Sequence, residues 1–173
     1  FARAEGGAMT TPVLTEALTS LAAMVIAENR AAGRTVALAE SCTGGLVSAA
    51  LTEIAGSSAV FDRSFVTYSN ESKNQALGVS NDIIETFGAV SIACAWAMAQ
   101  GALQRSNADV AVSISGIAGP DGGTDQKPVG TVVFARAIRG QDELLAEERH
   151  FDATDRAGVR LQAALVALEL LLP

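Results

Sequence analysis

Histidine, cysteine and lysine are scarce in this 173-residue chain, and each scarcity closes off a chemistry. His150 is the only histidine, so a histidine-built metal site or a Ser-His-Asp triad lacks its parts. Cys42 and Cys94 are the only cysteines. They form no closely spaced pair, carry no zinc signature, and fit a reducing cytoplasm. The Lys and Arg residues nowhere cluster and the net charge is −7, so a nucleic-acid partner has no electrostatic footprint to meet. An anionic ligand would have to be held by local groups, not steered by the overall field. No apolar run reaches the roughly 18 residues that span a bilayer, so no membrane partner is expected either.

The chain has 49% hydrophobic residues with only 18% charged ones. That balance describes a compact globule and excludes disorder. A single domain over residues 11–173 is expected. Residues 1–10 lack both a starting Met and the apolar core of a signal peptide, and read as a disordered or non-native lead.

From Thr11 to Ala32, Val13, Leu14, Leu18, Leu21, Val25 and Ile26 recur at helical spacing, with Thr11-Pro12 as the start and Gly33 as the stop. Val36 to Ala39 is a short apolar run that reads as a buried strand. Ser41-Cys-Thr-Gly-Gly45 then forms a tight turn into a helix that ends near Gly56. Val60 to Ser69 is β-rich, and Asn70 opens a short helix to Leu77. A second short helix runs from Ile83 to Phe87, and an Ala-rich one from Ser91 to Ser106. Asp109 to Ser115 is the second buried strand. A loop from Gly116 to Gly130, dense in glycine, leads to two strands, 129–138 and 143–151, joined as a hairpin. A last helix spans about 154–172. Alternating helices and strands with a late hairpin predict a three-layer α/β/α sandwich with a mixed central sheet.

Both buried strands end in Gly/Ser turns, and in open α/β sheets ligands sit at that carboxyl edge. The turn at 41–45 gathers backbone N–H groups at the positive end of a helix. It reads as a phosphate cradle, an oxyanion hole with its own nucleophile, or a simple helix cap. Tyr68 is the only tyrosine and Lys73 is one of two lysines. They stand five positions apart across a strand-to-helix junction, so both side chains can converge on one site or simply face solvent. A serine with a lysine base substitutes for Ser-His chemistry once burial lowers the lysine pKa. The Ser-x-x-Lys spacing is absent, because Asn70 stands three residues before Lys73, so serine and lysine come from separate segments. Cys42 is a competing nucleophile with no histidine partner, and reads as packing. His150 reads as structural or surface. Asp121 and Asp125 read as turn residues, though they could meet a cation, and Arg156 and Arg160 as phosphate ligands or ordinary surface charge.

Four ordered motifs carry a resemblance. They are Ala39-Glu-Ser41-Cys-Thr-Gly-Gly45; Phe65-Val-Thr-Tyr68-Ser-Asn-Glu71-x-Lys73; Gly88-Ala-Val-Ser91; and Ser113-Ile-Ser-Gly-Ile-Ala-Gly-Pro-Asp-Gly-Gly123 with Lys127-Pro-Val-Gly-Thr131. Together they resemble the CinA C-terminal domain family, from about residue 35 to the final helix. Members include nicotinamide mononucleotide deamidases of the PncC type. The resemblance implies hydrolysis of nicotinamide mononucleotide to nicotinate mononucleotide and ammonia in pyridine-nucleotide salvage. It also implies a metal-free and cofactor-free site in which Ser41, Lys73 and Tyr68 are catalytic. The longer family proteins carry a further N-terminal domain, and this chain resembles the stand-alone form. On that reading the N–H groups around Thr43, Gly44 and Gly45 stabilise the oxyanion. Ser115 and Gly116 line the pocket, and Arg156 meets the nucleotide phosphate. The expected partner is a small-molecule nucleotide, and the Ala-rich helix with Trp96 is a candidate homo-oligomer contact. Two rival readings are a catalytically silent nucleotide-binding or regulatory module and an amidase with another substrate.

Overall fold

The computed structural model describes residues 14–152 and 155–173. Helix α1 is Glu16–Ala31, capped by Thr15, whose side chain accepts from the Leu18 amide. The helix therefore starts later than the Thr11-Pro12 signal predicts, and those two residues lie outside the described ones, as does the expected lead at 1–10. Strand β1 is Val36–Glu40, and α2 is Leu46–Thr52, followed by a single 3₁₀ turn at Ser57–Ala59. Strand β2 is Phe61–Val66. Helix α3 is Asn70–Leu77, and its cap is Ser69, not Asn70: Ser69 and Ser72 each accept the other's amide in a reciprocal capping box. Helices α4 (Asn81–Phe87) and α5 (Ile92–Gln104) are capped by Ser80 and Ser91. Strands β3 (Val110–Gly116), β4 (Thr131–Ile138) and β5 (Leu145–His150) precede α6, Arg156–Leu171, which is capped by Asp155.

The five strands form one sheet in the order β2-β1-β3-β4-β5. β1 pairs in parallel with β2 and β3, while β3-β4 and β4-β5 are antiparallel. This is the mixed sheet expected from the late hairpin. β1 lies between two parallel neighbours under helices on both faces, and for that reason its sequence reads as a continuous buried run. One face buries Val36, Leu38, Val112, Ile114 and Phe134 against α1, α2 and α6. The other presents mostly small side chains, Ala37, Ala39, Ala111, Ala135 and Ala137, to Ala-rich α5. Small against small lets α5 sit close to the sheet, close enough for Ser113 Oγ to donate to the Ala95 carbonyl at 2.6 Å.

Chain reversal happens at β1. The connection through α2 places β2 on one side, and the connection through α3, α4 and α5 places β3 on the other. A crevice opens where two such connections diverge, beyond the carboxyl ends of β1 and β3. That switch point sets the site.

Close packing also makes one glycine indispensable. A Cβ on Gly101 of α5 would collide with the backbone carbonyl of Leu77 at the end of α3. Gly→Ala in an open helix gains about 1 kcal/mol. At Gly101 the sign reverses: Gly101→Ala is expected to lose about 2–3 kcal/mol of stability, measured by urea unfolding.

Candidate active site

The turn after β1 is built around Glu40, which is fully buried at the end of an otherwise apolar strand. Its carboxylate reaches over the start of α2. One oxygen accepts from Thr43 Oγ1 (2.8 Å), Gly45 N (3.0 Å) and Val47 N (3.2 Å). The other accepts from Ser48 N (3.0 Å) and from Ser64 Oγ of β2 (3.2 Å). A helix whose cap residue, Gly45, has no side chain is thus capped from within by the preceding strand. The remaining turn amides are largely engaged too. Ser41 N donates to Ile114 O of β3 at 2.9 Å, and Gly44 N to Ser41 O at 3.0 Å.

This arrangement corrects the expected oxyanion donors. The N–H groups of Gly44 and Gly45 are spent on Ser41 O and Glu40. Among the described residues the Thr43 N–H has no hydrogen-bond partner, and the Cys42 N–H has none beyond its own thiol. The phosphate-cradle reading of this helix start falls for the same reason, since Glu40 already occupies it.

Lys73 lies on the first turns of α3 and is 1% exposed, the largest fully buried side chain of the chain's described part. Its Nζ lies 3.1 Å from Ser41 Oγ and donates to the Thr67 carbonyl at 2.9 Å. Thr67 is itself fixed to β1, because its amide donates to the Glu40 carbonyl at 2.8 Å. Serine and lysine therefore meet through a closed ring of contacts running Ser41, Glu40, Thr67, Lys73. Burial pulls the Lys73 pKa below its ordinary value of 10.5, which favours the neutral amine a base must be. The same burial pushes the neighbouring Cys42 thiol up to about 11, so it stays protonated and is no nucleophile.

A cleft of about 240 Å³ opens over this pair, lined by Ser41, Cys42, Tyr68, Lys73, Ser115 and Arg156 among others. Its size suits one small ring, with the rest of a larger ligand outside. Ser115 is tied down, with Oγ donating to Ala89 O at 2.8 Å, and Gly116 lies beside it. Tyr68 stands at the mouth, 61% exposed. Its hydroxyl accepts from Arg156 Nη2 at 2.7 Å, while Arg156 Nη1 donates to Gly119 O at 2.7 Å. The structure thus brings Tyr68 to the cleft but engages its hydroxyl with Arg156, and Ser41 has Lys73 as its side-chain partner. Arg160, weighed in the sequence as a phosphate ligand, instead points inward and donates to the carbonyls of Cys42 (3.1 Å) and Thr43 (2.9 Å). His150 is exposed on β5, and Asp121 and Asp125 are exposed in the glycine loop. Among the described residues no three His, Cys, Asp or Glu side chains gather as a metal site.

Sequence reasoning missed Glu40 and Thr67. The signal for Glu40 is a single acid ending the run Val-Ala-Leu-Ala. Thr67 acts through its carbonyl and leaves no side-chain signal.

A depressed lysine carries a stability signature. Between the folded pKa of Lys73 and 10.5 the unfolded chain binds the additional proton, so stability rises with pH through that window. Lys73→Met carries no such proton. Its stability relative to the parent is expected to be greatest near neutrality and to shrink as pH climbs toward 10.5, measured by urea unfolding at several pH values.

Comparison with known proteins follows the same lines. The CinA C-terminal domain profile matches residues 18–173. Nicotinamide-nucleotide amidohydrolase PncC of Enterobacter agglomerans is 54% identical over 140 residues, 81% of this chain and 84% of that protein. The Escherichia coli protein of the same name is 54% identical over 143 residues, 82% of this chain and 85% of that protein. A CinA-like protein of Syntrophotalea carbinolica is 50% identical over 80% of this chain, which spans 33% of that longer protein. Among solved structures, competence/damage inducible protein CihA from Agrobacterium tumefaciens superposes with a TM-score of 0.89 at 46% identity, covering 93% of this chain and 97% of that one. Sequence and fold agree over nearly the whole length: the chain belongs to the CinA C-terminal domain family.

Proposed function

We propose that this chain is an amidohydrolase that converts nicotinamide mononucleotide to nicotinate mononucleotide and ammonia, with Ser41 as nucleophile and Lys73 as base. The observation that carries the reading is the buried Ser41–Lys73 hydrogen bond of 3.1 Å at the base of an open cleft. The substrate class is supported by the relatives named for nicotinamide-nucleotide amidohydrolysis at 54% identity.

Neutral Lys73 accepts the Ser41 hydroxyl proton as Oγ attacks the carboxamide carbon. The N–H groups of Cys42 and Thr43 receive the oxyanion. Collapse of the tetrahedral intermediate breaks the C–N bond, and the Lys73 ammonium returns its proton to the departing ammonia. Water then attacks the acyl-enzyme with Lys73 again as base, releasing the carboxylate and restoring Ser41. The Thr67 carbonyl holds the amine in place through both steps. Tyr68 and Arg156 serve the outer half of the substrate. Arg156 exchanges Tyr68 for the phosphate, and the freed Tyr68 hydroxyl can relay protons at the cleft mouth. Two buried free thiols, Cys42 and Cys94, suit a reducing cytoplasm. A homo-oligomer belongs to the proposal as well, with half-exposed Phe87 and Leu144 beside Trp96 as its contact; light scattering of the parent and Leu144→Glu tests it, a fall in mass being expected.

Ammonia release from nicotinamide mononucleotide in chelating buffer is the direct test. Ser41→Ala is expected to lower kcat about 10³-fold or more, with the fold intact by circular dichroism. The parent's kcat/KM is expected to rise with pH as Lys73 loses its proton, with that limb below 10.5. Nucleotide binding with no ammonia from the parent would favour the silent binding module.

A further inference from the structure

Arg160 lies one helical turn beyond Arg156 at the start of α6 and does something different. Its Nε and Nη2 reach two successive carbonyls of the nucleophile turn, Cys42 O and Thr43 O. The guanidinium lies along the turn closely enough that a Cβ on Gly44 would touch Nη2 at 3.6 Å. From the other side Glu40 holds Thr43 Oγ1 and Gly45 N. Carbonyls are therefore gripped from α6 and amides from β1.

The consequence concerns the peptide between Cys42 and Thr43. In a trans peptide the C=O and N–H point in opposite directions. Fixing the Cys42 carbonyl on Arg160 turns the Thr43 N–H away from α6. Fixing the Thr43 carbonyl holds the next peptide, whose Gly44 N–H closes the turn on Ser41 O. A cation on a carbonyl also polarises the amide and strengthens its N–H as a donor. Lysine cannot replace this grip, since a single ammonium lacks the planar fork that spans two carbonyls.

We propose that Arg160 is a positioning residue that sets the oxyanion donors of the nucleophile turn, and not a ligand for substrate phosphate. The inference rests on the Ser41 hydrolase reading above, and two readouts separate their failures. The first is turnover of nicotinamide mononucleotide by the parent, Arg160→Lys and Arg160→Ala. The second needs no substrate: the rate at which a fluorophosphonate labels Ser41. In that reaction an Oγ–P bond forms, the P–F bond breaks, fluoride leaves, and Lys73 takes the proton.

Arg160→Ala is expected to lower both kcat and the labelling rate about 100-fold. KM and the affinity for nicotinate mononucleotide should stay within about threefold, because the donors act on the developing oxyanion. Arg160→Lys should be nearly as impaired while keeping the stem that packs on the turn. Millimolar methylguanidinium should restore part of the labelling rate to Arg160→Ala and leave the parent unchanged. A parent that labels but releases no ammonia would discard the substrate and leave the Arg160 inference to the labelling rates. Variants that label at the parent's rate would overturn it. So would a fall in product affinity equal to the fall in kcat, which would make Arg160 a binding residue, or a labelling defect that methylguanidinium never relieves. A parent that does not label would remove both proposals.

Discussion

Everything at the cleft depends on one buried carboxylate that has no cationic partner among the described residues. Glu40 ends the central strand at 0% exposure and is satisfied by three backbone N–H groups and two hydroxyls. Placing an acid where a helix begins would normally satisfy the positive end of the dipole from outside. Here the acid is inside, so the helix start is closed to ligand and the turn must fold back over its own strand. Gly44 and Gly45, at φ +59° and +95°, supply the left-handed backbone that this reversal requires. Ser41, the proposed nucleophile, is consequently presented by a turn whose conformation is dictated from below, and the N–H groups of Cys42 and Thr43 lie at its tip.

The second constraint is the burial of Lys73. Its ammonium is a poor occupant of that site, and the fold accepts it because two oxygens, Ser41 Oγ and Thr67 O, lie within hydrogen-bond reach. The tension is chemically useful. An amine that gives up its proton readily is one that can receive the serine's. The fold supports it with the Ser69–Ser72 capping box, which fixes where α3 starts, and with the Thr67 amide held on β1. Burial, rather than a charged neighbour, is what lowers the Lys73 pKa.

Local pattern made the scaffold legible. The two apolar runs are β1 and β3, since burial on both faces of a strand leaves its mark in consecutive residues. The glycine stops after α1 and α2 mark their helix ends less closely, because α1 closes on Ala32 just before Gly33 and α2 closes on Glu53, short of Gly56. The approach of Lys73 and Tyr68 to the Ser41 turn is legible because two scarce residue types, lysine and tyrosine, fall in one motif. What stayed hidden was long-range or carried by the backbone. Arg156 finds Tyr68 across 88 positions and Arg160 finds Cys42 across 118, distances over which no spacing rule operates. The sequence shows a helix start but not which acceptor claims its amides, and those of Gly44 and Gly45 go to Ser41 O and Glu40. Asn70 yielded its cap to Ser69 because both residue types are good caps and only the reciprocal bond with Ser72 decides between them.

Both arginines at the start of α6 give the order of synthesis a chemical meaning. The sheet, the nucleophile turn and the lysine helix all leave the ribosome before α6 does. Until that helix docks, the Cys42 carbonyl and the Tyr68 hydroxyl lack their arginine partners, and the Thr43 carbonyl keeps only the Leu46 amide. A nascent chain can thus assemble its core and bring Ser41 to Lys73 while its turn is still unset. Of the elements that border the cleft, the one that grips the 41–45 turn from outside is the last to be made.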